Sequence, residues 1–191
     1  GALGTAVYKA VETLSQVIAE GSSGAGHAER LERLFQALQD DGYGYLENLG
    51  QHWGQLCASR ELASHWADRL AGTVRTVFTA PGFNCFSGTS AAFSSLLAAG
   101  RYDEILELLS LQKHQPPLWH HRRYGVEALK ALGRTEDALA MAESLCLNDP
   151  STTVGLECEQ LLIDLGREEE AYRSYGLTLQ RATNHKLTFK A

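Results

Sequence analysis

The chain has 191 residues, of which 23 are acidic and 17 are basic, so its formal net charge is −6. Hydrophobic residues make up 44 % of the sequence, which is ordinary for a protein with a packed core and excludes wholesale disorder. A negative net charge argues against non-specific nucleic-acid binding, and no apolar run reaches the roughly 18 residues of a membrane span. We therefore expect neither nucleic acid nor a membrane as partner. Residues 1–4 include neither Met nor a basic residue, so we expect Gly1 to be a cut end, either of a recombinantly expressed fragment or of a longer chain.

The N-terminal part of the chain shows the apolar spacing of amphipathic helices. Hydrophobic residues recur every three or four positions in four successive stripes, each typical of one helix face. The stripes are Val7, Ala10, Val11, Leu14 and Ile18; Leu31, Leu34, Phe35 and Leu38; Leu46, Leu49, Trp53 and Leu56; and Leu62, Trp66, Leu70, Val74 and Val77. No sustained two-residue alternation occurs, so the sequence predicts helices with little or no sheet. The longest irregular stretch, 78–89, is the predicted boundary after the N-terminal hairpins of residues 1–78.

The second half of the chain contains an internal repeat. Gly100, Gly133 and Gly166 are spaced 33 residues apart, and each is followed by an arginine and then by acidic residues. Glycine tolerates the left-handed conformation that ends a helix, and acids are favoured in the first turn of the next helix. The apolar residues that follow are small or branched and allow close helix approach: Ile105, Ala138 and Ala171. The sequence therefore predicts helical hairpins closed by Gly-Arg turns.

This pattern resembles the tetratricopeptide repeat, a helical hairpin of about 34 residues. The match is clearest between Leu118 and Asp149, and the residues at motif spacings are Gly133, Ala138, Ala142 and Pro150. The first helix departs from the motif, since Arg122, Gly125 and Val126 stand where the family prefers Trp, Leu and Gly. The resemblance covers roughly residues 86–180. The whole chain is also similar to uncharacterised bacterial helical-repeat proteins, which implies a cytoplasmic location and no particular activity.

The expected fold is all-α, with about ten helices stacked as antiparallel hairpins in a right-handed α-solenoid. N-terminal hairpins occupy residues 1–78 and tetratricopeptide-like repeats occupy residues 86–180. A basic tail follows at 181–191; it is either a frayed terminus or truncation point, or a segment that docks on another subunit.

One hexamer stands out as a candidate partner-binding site. It consists of Trp119, His120, His121, Arg122, Arg123 and Tyr124. The hexamer opens the first helix of the middle repeat, and the resemblance implies that first helices line a concave groove. Aromatic, imidazole and guanidinium groups there suit an acidic peptide, a C-terminal carboxylate or a phosphate. Alternatively, Trp119 and Tyr124 belong to the core, and the two arginines pair with neighbouring acids.

The sequence predicts no catalytic residue, metal site or cofactor. Its seven histidines lack the HxxxH and HExxH spacings of helical zinc sites, and the adjacent His120 and His121 point about 100° apart. Trp53 and Trp66 each follow a histidine, and we expect the two tryptophans to touch in the core if their helices are antiparallel. Phosphate-binding loops and serine-nucleophile motifs do not occur.

The four cysteines predict reduced thiols, as in a cytoplasm, with one incidental disulfide as the alternative. Three lie within apolar helical patterns and are expected to be buried: Cys57, Cys146 and Cys158. Cys85 precedes a predicted helix, whose N-terminus can lower a thiol pKa. That position raises a cysteine-dependent hydrolase as the least favoured function.

The favoured function is a non-enzymatic scaffold that binds a protein or peptide in the concave groove of a helical-repeat stack. The main alternative is an oligomerisation or regulatory domain of a longer protein, because the uncapped ends of a repeat stack invite another copy.

Overall fold

The computed structural model describes residues 9–10, 13, 26–42, 46–82, 85–112, 118–146 and 152–176. Within these residues it contains ten α-helices and no strand, which confirms the predicted helical fold. In chain order they are α1 (His27–Asp40), α2 (Glu47–Gln51), α3 (Trp53–Leu56), α4 (Arg60–Thr79), α5 (Thr89–Ala98), α6 (Tyr102–Ser110), α7 (Trp119–Ala131), α8 (Thr135–Cys146), α9 (Thr152–Asp164) and α10 (Glu168–Ala171). A π-helical turn, Tyr172–Gly176, follows α10. Most of the stripe predicted over 7–18, and all of the tail at 181–191, lie outside the described residues.

The chain divides into two compact units, residues 1–116 and 117–191. In the first unit α5 is the central helix and packs against α2, α3, α4 and α6. In the second unit the helices pack in chain order, α7 on α8, α8 on α9, and α9 on α10 and the π-helical turn.

The division between the units does not fall in the 78–89 stretch where the sequence places a boundary. Because α4 and α5 pack against each other, the segment that joins them lies inside the first unit. Helices α5 and α6, which the sequence assigns to the repeats of 86–180, are thus grouped with the N-terminal helices.

Three aromatic rings form the centre of the first unit. The centroids of Trp53 and Trp66 lie 5.0 Å apart in an edge-to-face arrangement, and Phe35 packs 5.6 Å from Trp53 and 5.1 Å from Trp66. Such pairs contribute about 0.5–1.5 kcal/mol beyond the burial of their surface. The contact expected between the two tryptophans is confirmed, and it ties α3 to α4.

The third predicted stripe is divided between two short helices, α2 and α3, which are separated at His52. Both helices contact α5 at a glycine, Gly50 in α2 and Gly54 in α3. A Cβ on Gly50 would lie 3.2 Å from the backbone nitrogen of Ala91, and Gly54 approaches α5 more closely still. One continuous amphipathic helix is therefore replaced by two segments that follow the surface of α5.

The three Gly-Arg turns share one geometry, as the sequence predicts. Gly100, Gly133 and Gly166 all have φ of +72°, in the left-handed region. In each turn the N–H groups of the glycine and of the following arginine donate to carbonyls of the preceding helix, the arrangement of a Schellman cap. The apolar residues after the turns are buried: Ile105, Ala138 and Ala171.

The arginine of each turn also forms an ion pair three residues further on. Arg101 binds Glu104 at 2.5 Å, Arg134 binds Asp137 at 2.7 Å, and Arg167 binds Glu170 at 2.8 Å. The acidic residues after the turns therefore serve as helix-start charges and as partners for the turn arginine.

Candidate binding site at the start of helix α7

The hexamer 119–124 forms the first turns of α7. Leu118 is extended before the helix, and its carbonyl accepts hydrogen bonds from the N–H groups of His121, at 3.1 Å, and Arg122, at 3.0 Å. No side chain caps this end, and its first turn contains no acidic residue. By contrast, α1, α4, α6, α8 and α10 each carry at least one acid in the first turn. Helix α7 therefore begins without the negative charge that complements a helix dipole.

The hexamer is split between core and surface. Tyr124 and His121 are buried, with exposed fractions of 4 % and 9 %. Trp119, Arg122 and Arg123 are half-buried, as is His120. The alternative in which the aromatic residues belong to the core thus holds for Tyr124, while Trp119 keeps part of its surface open to solvent.

The two histidines of the hexamer contact each other, with ring centroids 4.1 Å apart. Burial, together with the nearby charges of His120 and Arg122, lowers the pKa of His121 to about 3. The His121 ring is consequently neutral at neutral pH. Among the described residues, no cluster of three or more His, Cys, Asp or Glu side chains could hold a metal ion.

Arg123 is held by its neighbour Tyr124. Its guanidinium carbon lies 4.8 Å from the centroid of the tyrosine ring, and Nη2 donates a hydrogen bond to the tyrosine hydroxyl at 3.0 Å. The cation–π contact and the hydrogen bond together orient the guanidinium without neutralising it. The Nε atom of Arg123 is buried and has no hydrogen-bond partner among the described residues.

Arg122 forms no hydrogen bond or ion pair with any residue that the structure describes. Its Nε atom is buried without a partner, and burial lowers the pKa of its guanidinium. Seven other arginines bind carboxylates: Arg33, Arg69, Arg75, Arg101, Arg134, Arg167 and Arg173. The predicted alternative, in which Arg122 and Arg123 pair with acids, is therefore not found in the described part of the chain.

Sequence reasoning grouped the six residues but did not assign these separate roles. Neighbouring helix positions point about 100° apart, so nothing in the sequence indicated that Tyr124 would stack on Arg123. The sequence offers Glu127, four residues after Arg123, as a partner on the same helix, but in the structure Glu127 binds Lys130 instead.

The cysteines show no catalytic arrangement in the described residues. Cys85 is exposed before α5, and no hydrogen bond joins it to a described histidine. Cys57 and Cys158 are buried free thiols, as predicted, and burial raises the pKa of Cys57 to about 12. The side chain of Cys146, like His114 and His185, lies outside the described part of the chain.

Comparisons of the chain with protein-family models, with curated proteins and with solved structures found no match. Among the described helices, none combines the length and the apolar character needed to cross a bilayer. The tetratricopeptide resemblance therefore remains a prediction from the residues quoted for it.

Proposed function

We propose that this chain is a non-enzymatic module of the cytoplasm that binds an acidic protein segment or peptide at the start of α7. The observation that carries the proposal is the pair of half-buried arginines, Arg122 and Arg123, without a carboxylate partner among the described residues. A charge that is partly removed from water and left unpaired is unfavourable, and an incoming anion offsets that cost.

Binding of an anionic group at this site involves no covalent step and little rearrangement of α7. Tyr124 already orients one guanidinium, and α7 is anchored to α8 by the packing of the second unit. Hydrogen bonds to charged groups contribute about 1.5–3 kcal/mol each, so the two guanidiniums favour the capture of an anionic group. Half-buried Trp119 adds apolar contact area beside them.

The proposal includes stacking of the hairpins as a right-handed solenoid, with α7 on its inner side. The support is the common geometry of the turns at Gly100, Gly133 and Gly166, together with chain-order packing in the second unit. Small-angle scattering of the full chain would test the stacking. An elongated, curved profile is expected, and the profile of a compact sphere would contradict it.

Charge reversal tests the binding site. In the variant with Arg122→Glu and Arg123→Glu, capture of peptides from an acidic library should fall at least tenfold, while circular dichroism stays that of the parent protein. The matched control is Arg30→Glu with Arg33→Glu, which changes the net charge equally on exposed positions of α1. Equal capture by both variants would contradict the proposed site.

Self-association of this chain is the second candidate, favoured by exposed apolar side chains in the second unit. Leu156 and Ile163 lie on one face of α9, seven residues apart, and each is 42 % exposed. Light scattering across concentration tests this candidate. A dimer that is lost on Leu156→Lys with Ile163→Lys would support self-association, and a monomer at all concentrations would contradict it. No contact in the described residues favours the cysteine-dependent hydrolase.

A further inference from the structure

The start of α7 carries an excess of positive charge. Between Leu118 and Val126 the chain has two guanidiniums and no carboxylate. The first acid beyond them, Glu127, lies 3.4 Å from the ammonium of Lys130. The helix terminus adds about half a positive charge. The local charge on this end of α7 is therefore about +2.5, and no carboxylate of the described residues binds either guanidinium.

Of the two guanidiniums, that of Arg123 is oriented by its ring contact and hydrogen bond with Tyr124. In both Arg122 and Arg123 the Nε atom is buried and has no hydrogen-bond partner in the part of the chain that the structure describes. The terminal nitrogens of Arg122, and Nη1 of Arg123, are not among the buried unpartnered atoms and form no hydrogen bond with a described residue. Three terminal nitrogens therefore form no hydrogen bond with a described residue and can donate to a ligand.

A peptide can present two kinds of anion to these arginines, a carboxylate or a phosphate, and the two differ in charge. A side-chain or C-terminal carboxylate brings one negative charge and two oxygens. A phosphomonoester brings about −1.5 to −2 at pH 7 and three strong acceptor oxygens. Adjacent positions point about 100° apart, but the long arginine side chains allow both tips to reach one group that presents oxygens in several directions.

Resting on the function proposed above, we infer that the group recognised by Arg122 and Arg123 is the phosphate of a phosphorylated peptide. Arginine is suited to this because its planar fork donates paired hydrogen bonds to phosphate oxygens. Half-buried Trp119, at the first position of α7, lies in the same turn and contacts the residues that flank the phosphorylated one.

The test compares three peptide libraries with the same randomised flanks and a central phosphoserine, glutamate or serine. Binding of the full chain is measured by fluorescence polarisation. The phosphoserine library is expected to bind at least tenfold more tightly than the glutamate library, and inorganic phosphate in the millimolar range should displace it. Arg122→Lys and Arg123→Lys keep the charge but remove the fork, so each should reduce phosphoserine binding severalfold.

Three outcomes would overturn the inference in different ways. Equal binding of the glutamate and phosphoserine libraries would remove phosphate selectivity and leave the acidic-peptide function standing. Binding of neither library by a protein with parental circular dichroism would remove the function and the inference together. Phosphoserine binding that survives the double charge reversal would place phosphate recognition away from Arg122 and Arg123.

Discussion

Gly54 of α3 lies in direct backbone contact with Ser94 of α5. Its N–H donates a hydrogen bond to the serine hydroxyl at 2.9 Å, and that hydroxyl donates in turn to the carbonyl of Gln51 at 2.9 Å. A Cβ on Gly54 would lie 2.3 Å from the carbonyl oxygen of Ser94 and 2.7 Å from the Cβ of Ala98. The close approach of α3 to the central helix therefore depends on the absence of a side chain at this position.

Gly54→Ala is accordingly expected to destabilise the first unit by about 2–3 kcal/mol, because the backbone of α3 or α5 must move to admit the methyl group. Gly72→Ala in α4 is the matched control. A Cβ there meets nothing within 4 Å, so the same change should stabilise the helix by up to about 1 kcal/mol. Urea unfolding of both variants measures the two effects. If Gly54→Ala lowers the free energy of unfolding by no more than 0.5 kcal/mol, about the size of an ordinary surface effect, the close approach of α3 to α5 would be contradicted.

A substitution at Ala58 tests backbone strain and, unlike Gly54→Ala, is expected to stabilise the protein. It follows α3 and has a φ of +56°, which costs a residue with a Cβ about 1–2 kcal/mol. Ala58→Gly should relieve this strain and leave a net stabilisation of up to about 1 kcal/mol after the larger entropy of the unfolded chain is counted. Ala37→Gly, on the exposed side of α1, is the control and should destabilise by a similar amount. Two destabilisations of equal size would show that Ala58 is not strained.

The burial of His121 predicts a dependence of stability on pH. Its pKa is about 3 in the folded protein and about 6.5 in an unfolded chain, so folding favours the neutral ring. The contribution of the neutral His121 ring to the free energy of unfolding is complete above pH 6.5. It is lost as the pH falls toward 3, by at most about 1.4 kcal/mol per pH unit. Urea midpoints at pH 7 and pH 4 should show a smaller decrease for His121→Gln than for the parent. His65→Gln, at an exposed position of α4, should leave the parental decrease unchanged.

The thiols should differ sharply in reactivity in the native protein. Exposed Cys85 is accessible, whereas Cys57 and Cys158 are buried and the pKa of Cys57 is raised to about 12. Brief alkylation at neutral pH, followed by peptide mass spectrometry, should label Cys85 and leave the other two unmodified until denaturant is added. Labelling of Cys57 at the rate of Cys85 would mean that the packing of α3 on α5 opens readily.

Local features of the fold were predictable because neighbouring residues determine them. The stripe through Trp66 forms α4, and the left-handed glycines end helices where the 33-residue spacing placed them. The division of the third stripe into α2 and α3 was not predictable, since it follows the contact of Gly54 with Ser94, a residue distant in sequence. The grouping of α4 and α5 in one compact unit likewise follows from a packing contact between two helices.

The candidate site was predictable in composition but not in arrangement. The run of basic and aromatic residues at 119–124 indicated an anionic partner from residue type alone. The stacking of Arg123 on Tyr124 is a side-chain arrangement that residue types alone do not determine. That Arg122 is half-buried without a partner is likewise a property of the folded chain.

The enclosure of α5 affects how this protein can vary among relatives. Every residue from Thr89 to Leu96 is buried, so this part of the helix has no outward side on which replacements are neutral. Serine at positions 90 and 94 cannot readily give way to a bulkier residue without displacing α2 or α3. Divergent homologues should therefore preserve a short segment of small residues at α5 while the outer faces of α1 and α4 drift. That segment is a better marker for finding them than the charged hexamer of the second unit.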